Sequence, residues 1–146
     1  MKPIYLLLLF LSPIFGFAQE MESQVALTGV WELDLEQQMQ EVQENQDSKF
    51  TTMPGPVKEM FLASLKTRKY IFYPDGVFEA FWLLGGKSHV LGGTWEFEFP
   101  GNLSLSPENG QEKIYAVSFH KETLKLASRE NTENVLHTLY LKREVP

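Results

Sequence analysis

Gly29-Val30-Trp31-Glu32-Leu33-Asp34-Leu35 and Gly93-Thr94-Trp95-Glu96-Phe97-Glu98-Phe99 are one phrase used twice. In each, a glycine opens an alternation of large apolar residues with acidic or small polar ones. Successive side chains of a strand point to opposite faces, so this period of two describes a ribbon with one oily side and one solvated side. Trp31, Leu33 and Leu35 share the oily side of the first ribbon, and Glu32 and Asp34 the other.

Outward from these phrases, turn signals recur at short, even intervals, the punctuation of a meander. Lys69 to Tyr73 reads as a strand, Pro74-Asp75-Gly76 as a turn, and Val77 to Leu83 as the antiparallel partner. Gly85-Gly86 and Gly92-Gly93 bracket a stretch read as a loop, Leu84 to Gly92, placed to act as a lid at an open end. Strands Thr94 to Phe99, Leu103 to Ser106, Lys113 to His120, Thr123 to Ser128 and Val135 to Arg143 follow, joined by Pro100-Gly101-Asn102, Glu108-Asn109-Gly110, Lys121-Glu122 and Asn131 to Asn134. Leu27 to Leu35 is the first strand. Between it and the second, residues 36–55 are polar and rich in Gln and Glu, read as a partly ordered helical extension or a mobile loop. From Pro56, the apolar spacing Val57, Met60, Phe61, Leu65 predicts a short helix that docks one stripe on the core.

The chain has 146 residues, a net charge of −6 and no cysteine. Lys2, the apolar run Ile4 to Leu11 and Gly16-Phe17-Ala18 form the pattern of an export signal, with cleavage expected after Ala18. Residues 1–18 are then a signal peptide, and 19–146 one domain in the periplasm or outside the cell. Losing Lys2 moves the charge from −6 to −7. The apolar run is too short to span a bilayer, so no membrane span is expected in the mature chain. An acidic chain without a basic cluster excludes nucleic acid as a natural partner. With no disulfide available, stability must come from apolar burial, and 13% aromatic residues supply large side chains for it.

Eight two-sided ribbons can hide their oily faces by stacking or by closing. Short links favour up-and-down order, and closure removes the unpaired edges that template aggregation. The expected fold is all-β: an antiparallel up-and-down β-barrel of about eight strands, with one short helix between strands 1 and 2.

In their order, several pieces resemble the small bacterial lipocalin-like domains. These are the first-strand Gly29-Val30-Trp31, a helix, the hairpin Tyr70-Ile71-Phe72-Tyr73-Pro74-Asp75-Gly76-Val77-Phe78, then Gly93-Thr94-Trp95 and a last strand ending Leu139-Tyr140-Leu141-Lys142-Arg143. The resemblance covers nearly all of residues 19–146. It implies a calycin-type barrel in which Trp31 plugs one end and Arg143 lies across it, a contact worth about 0.5–2 kcal/mol. The chain departs from secreted lipocalins in lacking a disulfide, in lacking a Thr-Asp-Tyr segment, and in placing its helix after strand one.

Inward phasing predicts an interior lined by Leu33, Leu35, Phe78, Trp82, Trp95, Phe97, Phe99, Tyr115, Val117, Phe119 and Leu139, with Leu124, Leu126 and Leu141 beside them. Such a wall suits a small hydrophobic ligand held by shape, or else these rings simply fill the barrel. The hairpin of strands two and three is apolar on both faces, one for the core and one for the helix stripe. The three histidines, His89, His120 and His137, lack ligand spacing, so no metal or other cofactor is expected. Glu32, Asp34, Glu96 and Glu98 fall on the solvated faces, and no cysteine, G-x-S-x-G or phosphate loop is present, so no catalytic residue and no enzyme are expected. Two functions stay open. One is an exported barrel that binds a small hydrophobic molecule; the other is a cell-envelope module with a filled core that binds another protein.

Overall fold

The computed structural model describes residues 24–44, 52–120, 122–130 and 138–144. The expected signal peptide and its cleavage site, the turn Asn131 to Asn134, and His137 lie outside the described residues. The alternating segments form eight strands: β1 (Gly29–Leu33), β2 (Lys69–Phe72), β3 (Val77–Leu84), β4 (Lys87–Glu98), β5 (Asn102–Pro107), β6 (Lys113–His120), β7 (Thr123–Ser128) and β8 (Thr138–Arg143). Each pairs antiparallel with its neighbours in chain order, and β8 returns to β1, so the sheet closes into an up-and-down barrel. Trp31 stands opposite Tyr70 on one side and Arg143 on the other.

Period-two phasing decides the core. Trp31, Leu33, Phe72, Phe78, Trp95, Phe97, Leu103, Leu124, Leu126, Leu139 and Leu141 are all buried, while Glu96 and Glu98 are exposed. Each large side chain taken out of water in this way contributes about 1.5–3 kcal/mol before entropy is counted. The two-faced hairpin resolves with Tyr70 and Phe72 inward and Ile71 half-buried on the other side.

Among the described residues, two helices stand between β1 and β2: α1 (Leu35–Glu44) and α2 (Gly55–Thr67). The second is the expected one, and it packs against β3 and β1. Its contact stripe differs from expectation. Leu65 is buried and Phe61 and Leu62 pack on the core, but Val57 and Met60 are 48% and 44% exposed. Met60 instead reaches the Gly85 turn, where it lies 3.3 Å from the position a Cβ would take. Helix α1 occupies the first part of the polar segment. Asp34, placed on the solvated face of a strand by its phase, is the residue before this helix, and its Oδ1 accepts from the Gln37 backbone N–H at 3.3 Å. Capping by Asp ends the strand at Leu33 and turns Leu35 into a helical residue.

The stretch Leu84 to Gly92 is not a loop. Gly85 and Gly86, with φ of +60° and +77°, form a two-residue turn, and Leu84 pairs with Lys87 across it. Positive φ at both turn positions gives the twist that matches a hairpin, which glycine adopts without steric cost. β4 therefore runs unbroken through Gly92 and Gly93 to Glu98.

Candidate ligand site in the barrel interior

The barrel has two unlike ends. At one, Trp31 is 2% exposed and its indole N–H donates to the Leu27 carbonyl at 2.8 Å. The Arg143 guanidinium lies over that ring, 4.4 Å from the centroid, and donates to the carbonyls of Thr28 and Ala26. Leu27, fully buried, sits at the end of the helical turn 24–27 that precedes β1. Trp95 is fixed by its own N–H, which donates to the Tyr73 carbonyl at 2.9 Å, and it meets Phe72 edge-on at 5.5 Å. Buried indoles with satisfied N–H groups make this end rigid and full.

Toward the other end, where α2 delivers the chain into β2 and the β3–β4 hairpin turns, the interior holds a cavity of about 260 Å³. Phe78, Ala80, Trp82, Leu91, Leu105 and Pro107 form its apolar wall. Four further residues bring polar atoms: Arg68 and Tyr70 at the start of β2, and Lys113 and Tyr115 at the start of β6. In a ring of eight strands, β2 and β6 stand opposite one another, so two basic-x-tyrosine pairs face each other across the lumen.

The chemistry of this wall is lopsided. Arg68 and Lys113 are the charged lining residues, in a chain whose net charge is −6. The Arg68 guanidinium carbon lies 5.2 Å from the Trp82 ring centroid, and the His89 ring stacks on Trp82 at 5.6 Å and 8°. Arg68 Nε is buried with no hydrogen-bond partner. Burial, with smaller contributions from the neighbouring Tyr70 and Glu130, pushes the Tyr115 hydroxyl up to about 12, so at neutral pH it remains a hydrogen-bond donor.

The interior positions expected from sequence divide into groups. Phe78, Trp82 and Tyr115 line the cavity. Leu33, Trp95, Phe97 and Leu139 are buried in the packed core, and Val117 is partly buried against it. Leu35 packs on the core from the first turn of α1, not from a strand. Phe99 and Phe119 depart from expectation, being 50% and 43% exposed. Both keep the inward phase of their strands, but Phe99 lies past the end of β4, and Phe119 one residue from the end of β6, at the plugged end. There the strands outrun the packed lumen, so correct phase no longer means burial.

Neither Arg68 nor Lys113 is among the interior positions expected from sequence, although the sequence carries a signal for both. Each stands two residues before an inward tyrosine, so extending the period by one step places both on the inner face. A basic residue at a strand edge reads by default as solvated, which hid them.

Elsewhere the polar groups are spent on structure or solvent. Glu32 pairs with Lys142 at 3.7 Å. Among the described residues, no three His, Asp or Glu side chains gather to hold a metal, and no helix is long and apolar enough to cross a membrane. No family model matches the chain, and no curated protein is significantly similar to it.

Proposed function

We propose that this chain is an exported, non-enzymatic barrel of the lipocalin-like kind that holds a small, largely apolar molecule in its interior. The observation that carries the reading is the cavity of about 260 Å³ between Phe78, Trp82, Leu91 and Leu105, at the end of the barrel away from Trp31. An apolar cavity of about 150 Å³ is large enough to bind benzene, so this one has room for a single ring with a short arm. The export pattern of residues 1–18 supports a setting outside the cytoplasm, and the outward carboxylates support binding without chemistry.

The test is titration with hydrocinnamamide, a neutral one-ring molecule with a short amide arm. We expect saturable binding of one molecule per chain, a change in emission from Trp82, and a thermal midpoint that rises with probe concentration by mass action. Ala80→Leu, which adds bulk to the cavity wall, should abolish all three. A folded protein that saturably binds neither this amide nor hydrocinnamate, the acid with the same body, would end this reading. It would favour an envelope-protein module, for which the exposed rings of Phe99 and Phe119 at the plugged end are the supporting observation.

A further inference from the structure

The cavity wall is apolar, but four of its side chains can donate hydrogen bonds. Arg68, the residue before β2, and Tyr70 on β2 face Lys113 and Tyr115 on β6, and every one of these side chains presents hydrogen-bond donors. Among the described residues, neither Arg68 nor Lys113 is ion-paired. Among the described residues, buried Arg68 Nε has no hydrogen-bond partner, an arrangement that native proteins seldom leave uncompensated. The guanidinium carbon lies 5.2 Å from the Trp82 ring centroid, a cation–π contact that uses none of its N–H donors.

We propose that the molecule held in this cavity is a small amphipathic carboxylate, its acid group bound by Arg68 and Lys113 and its single-ring or short aliphatic body lying against Phe78, Trp82, Leu91 and Leu105. This rests on the interior-cavity reading above and adds the charge of the ligand to it. Three features set the class. The carboxylate supplies an acceptor to the buried Arg68 Nε, which has none, and a planar guanidinium matches its two oxygens. Tyr115, a donor throughout the neutral range, offers a further hydrogen bond to an acid oxygen or to a polar substituent on the body. The volume, between that of a benzene site and that of a large lipid pocket, limits the body to about one ring or a few methylenes. A long acyl chain would not be enclosed.

The experiment compares hydrocinnamate with hydrocinnamamide, which share a body and differ in charge, on the purified full chain by calorimetry and Trp82 emission. We expect the acid to bind at least about tenfold more tightly than the amide at low salt, with the preference shrinking as salt is raised. Arg68→Gln should remove the preference while leaving amide affinity within about twofold. Lys113→Gln, at an exposed position where folding is not at issue, should reduce the preference severalfold. Equal binding of acid and amide, or a preference that survives both substitutions, overturns the carboxylate assignment and leaves the cavity reading standing. If neither molecule binds the folded chain, both readings fall.

Discussion

A methyl group on Gly93 would lie 2.3 Å from the Ser106 carbonyl oxygen, 2.7 Å from the Phe78 ring and 2.8 Å from Pro107 Cα. The glycine that opens the second tryptophan phrase is therefore required by space, because two of those neighbours are backbone and cannot give way. Its counterpart Gly29 is required by conformation, with φ of +124°, and by the Arg143 guanidinium 2.8 Å from where a Cβ would stand. The same residue in the same phrase thus answers two different constraints. Gly93→Ala should cost about 1–3 kcal/mol by overpacking, read as a lower urea midpoint with an unchanged slope. Tyr115 carries a second residue-scale prediction. Its hydroxyl titrates near 10 in the unfolded chain and at about 12 in the barrel, so its stabilising contribution is fully present below pH 10 and is lost as pH rises through 12. Unfolding free energy should fall by about 2–3 kcal/mol across that window, and Tyr115→Phe should flatten the fall, as measured by urea melts at stepped pH.

At the scale of elements, the seam between β1 and β8 needs help that strand pairing alone does not give. β1 stops at Leu33 because Asp34 caps α1, which leaves the first half of β8 without a strand on that side. The Asp34 N–H reaches the Tyr140 carbonyl at 2.7 Å, and beyond it the buried amide of Gln38 takes over. Gln38 Nε2 donates to the Thr138 carbonyl at 2.8 Å, and its Oε1 accepts from the Tyr140 N–H at 3.1 Å, so one side chain imitates a strand residue. Gln38→Ala should cost about 2–4 kcal/mol, because it orphans two backbone groups at about 1–3 kcal/mol each with partial access of water. Hydrogen exchange at Tyr140 should speed up in the same variant. These devices also mark where the sequence could be read and where it could not. The strands were legible because alternation over several residues has one explanation. A helix in the polar segment was one of two alternatives, but its start at Leu35 was not legible, because Asp34 satisfies the strand pattern and the cap equally well and only the fold chooses between them. The β3–β4 turn was hidden by a second glycine pair, Gly92-Gly93, which made a continuous strand look like the far edge of a loop. The cavity was half legible: its rings follow from phase, but its two cations required carrying that phase to the first residue of β6 and to one residue ahead of β2.

For the molecule as a whole, closure without disulfides rests on a packed plug at one end and a partly hollow lumen at the other. Trp31 belongs to the plug, where it touches the Arg143 cation and is almost wholly buried, so Trp31→Ala should cost about 3–5 kcal/mol. A loss under about 1 kcal/mol, the range of surface substitutions, would show that the barrel end does not depend on it. The same variant should leave hydrocinnamamide binding within about threefold, since the plug and the cavity share no lining side chain. Export makes a separate prediction: protein recovered from the periplasm or medium should begin at Gln19 when its N-terminus is sequenced.

The Arg143 side chain holds a carbonyl 115 residues earlier in the chain, and every other contact of the β1–β8 seam is similarly remote. Such a joint is slow to form, since its loop-closure entropy is met only after the intervening strands are in place. A polypeptide built this way cannot close its barrel until its final ribbon is available. If residues 1–18 direct export as their pattern suggests, a secretion channel that accepts only unfolded chains would find its passenger still open, with the lock that closes it made last.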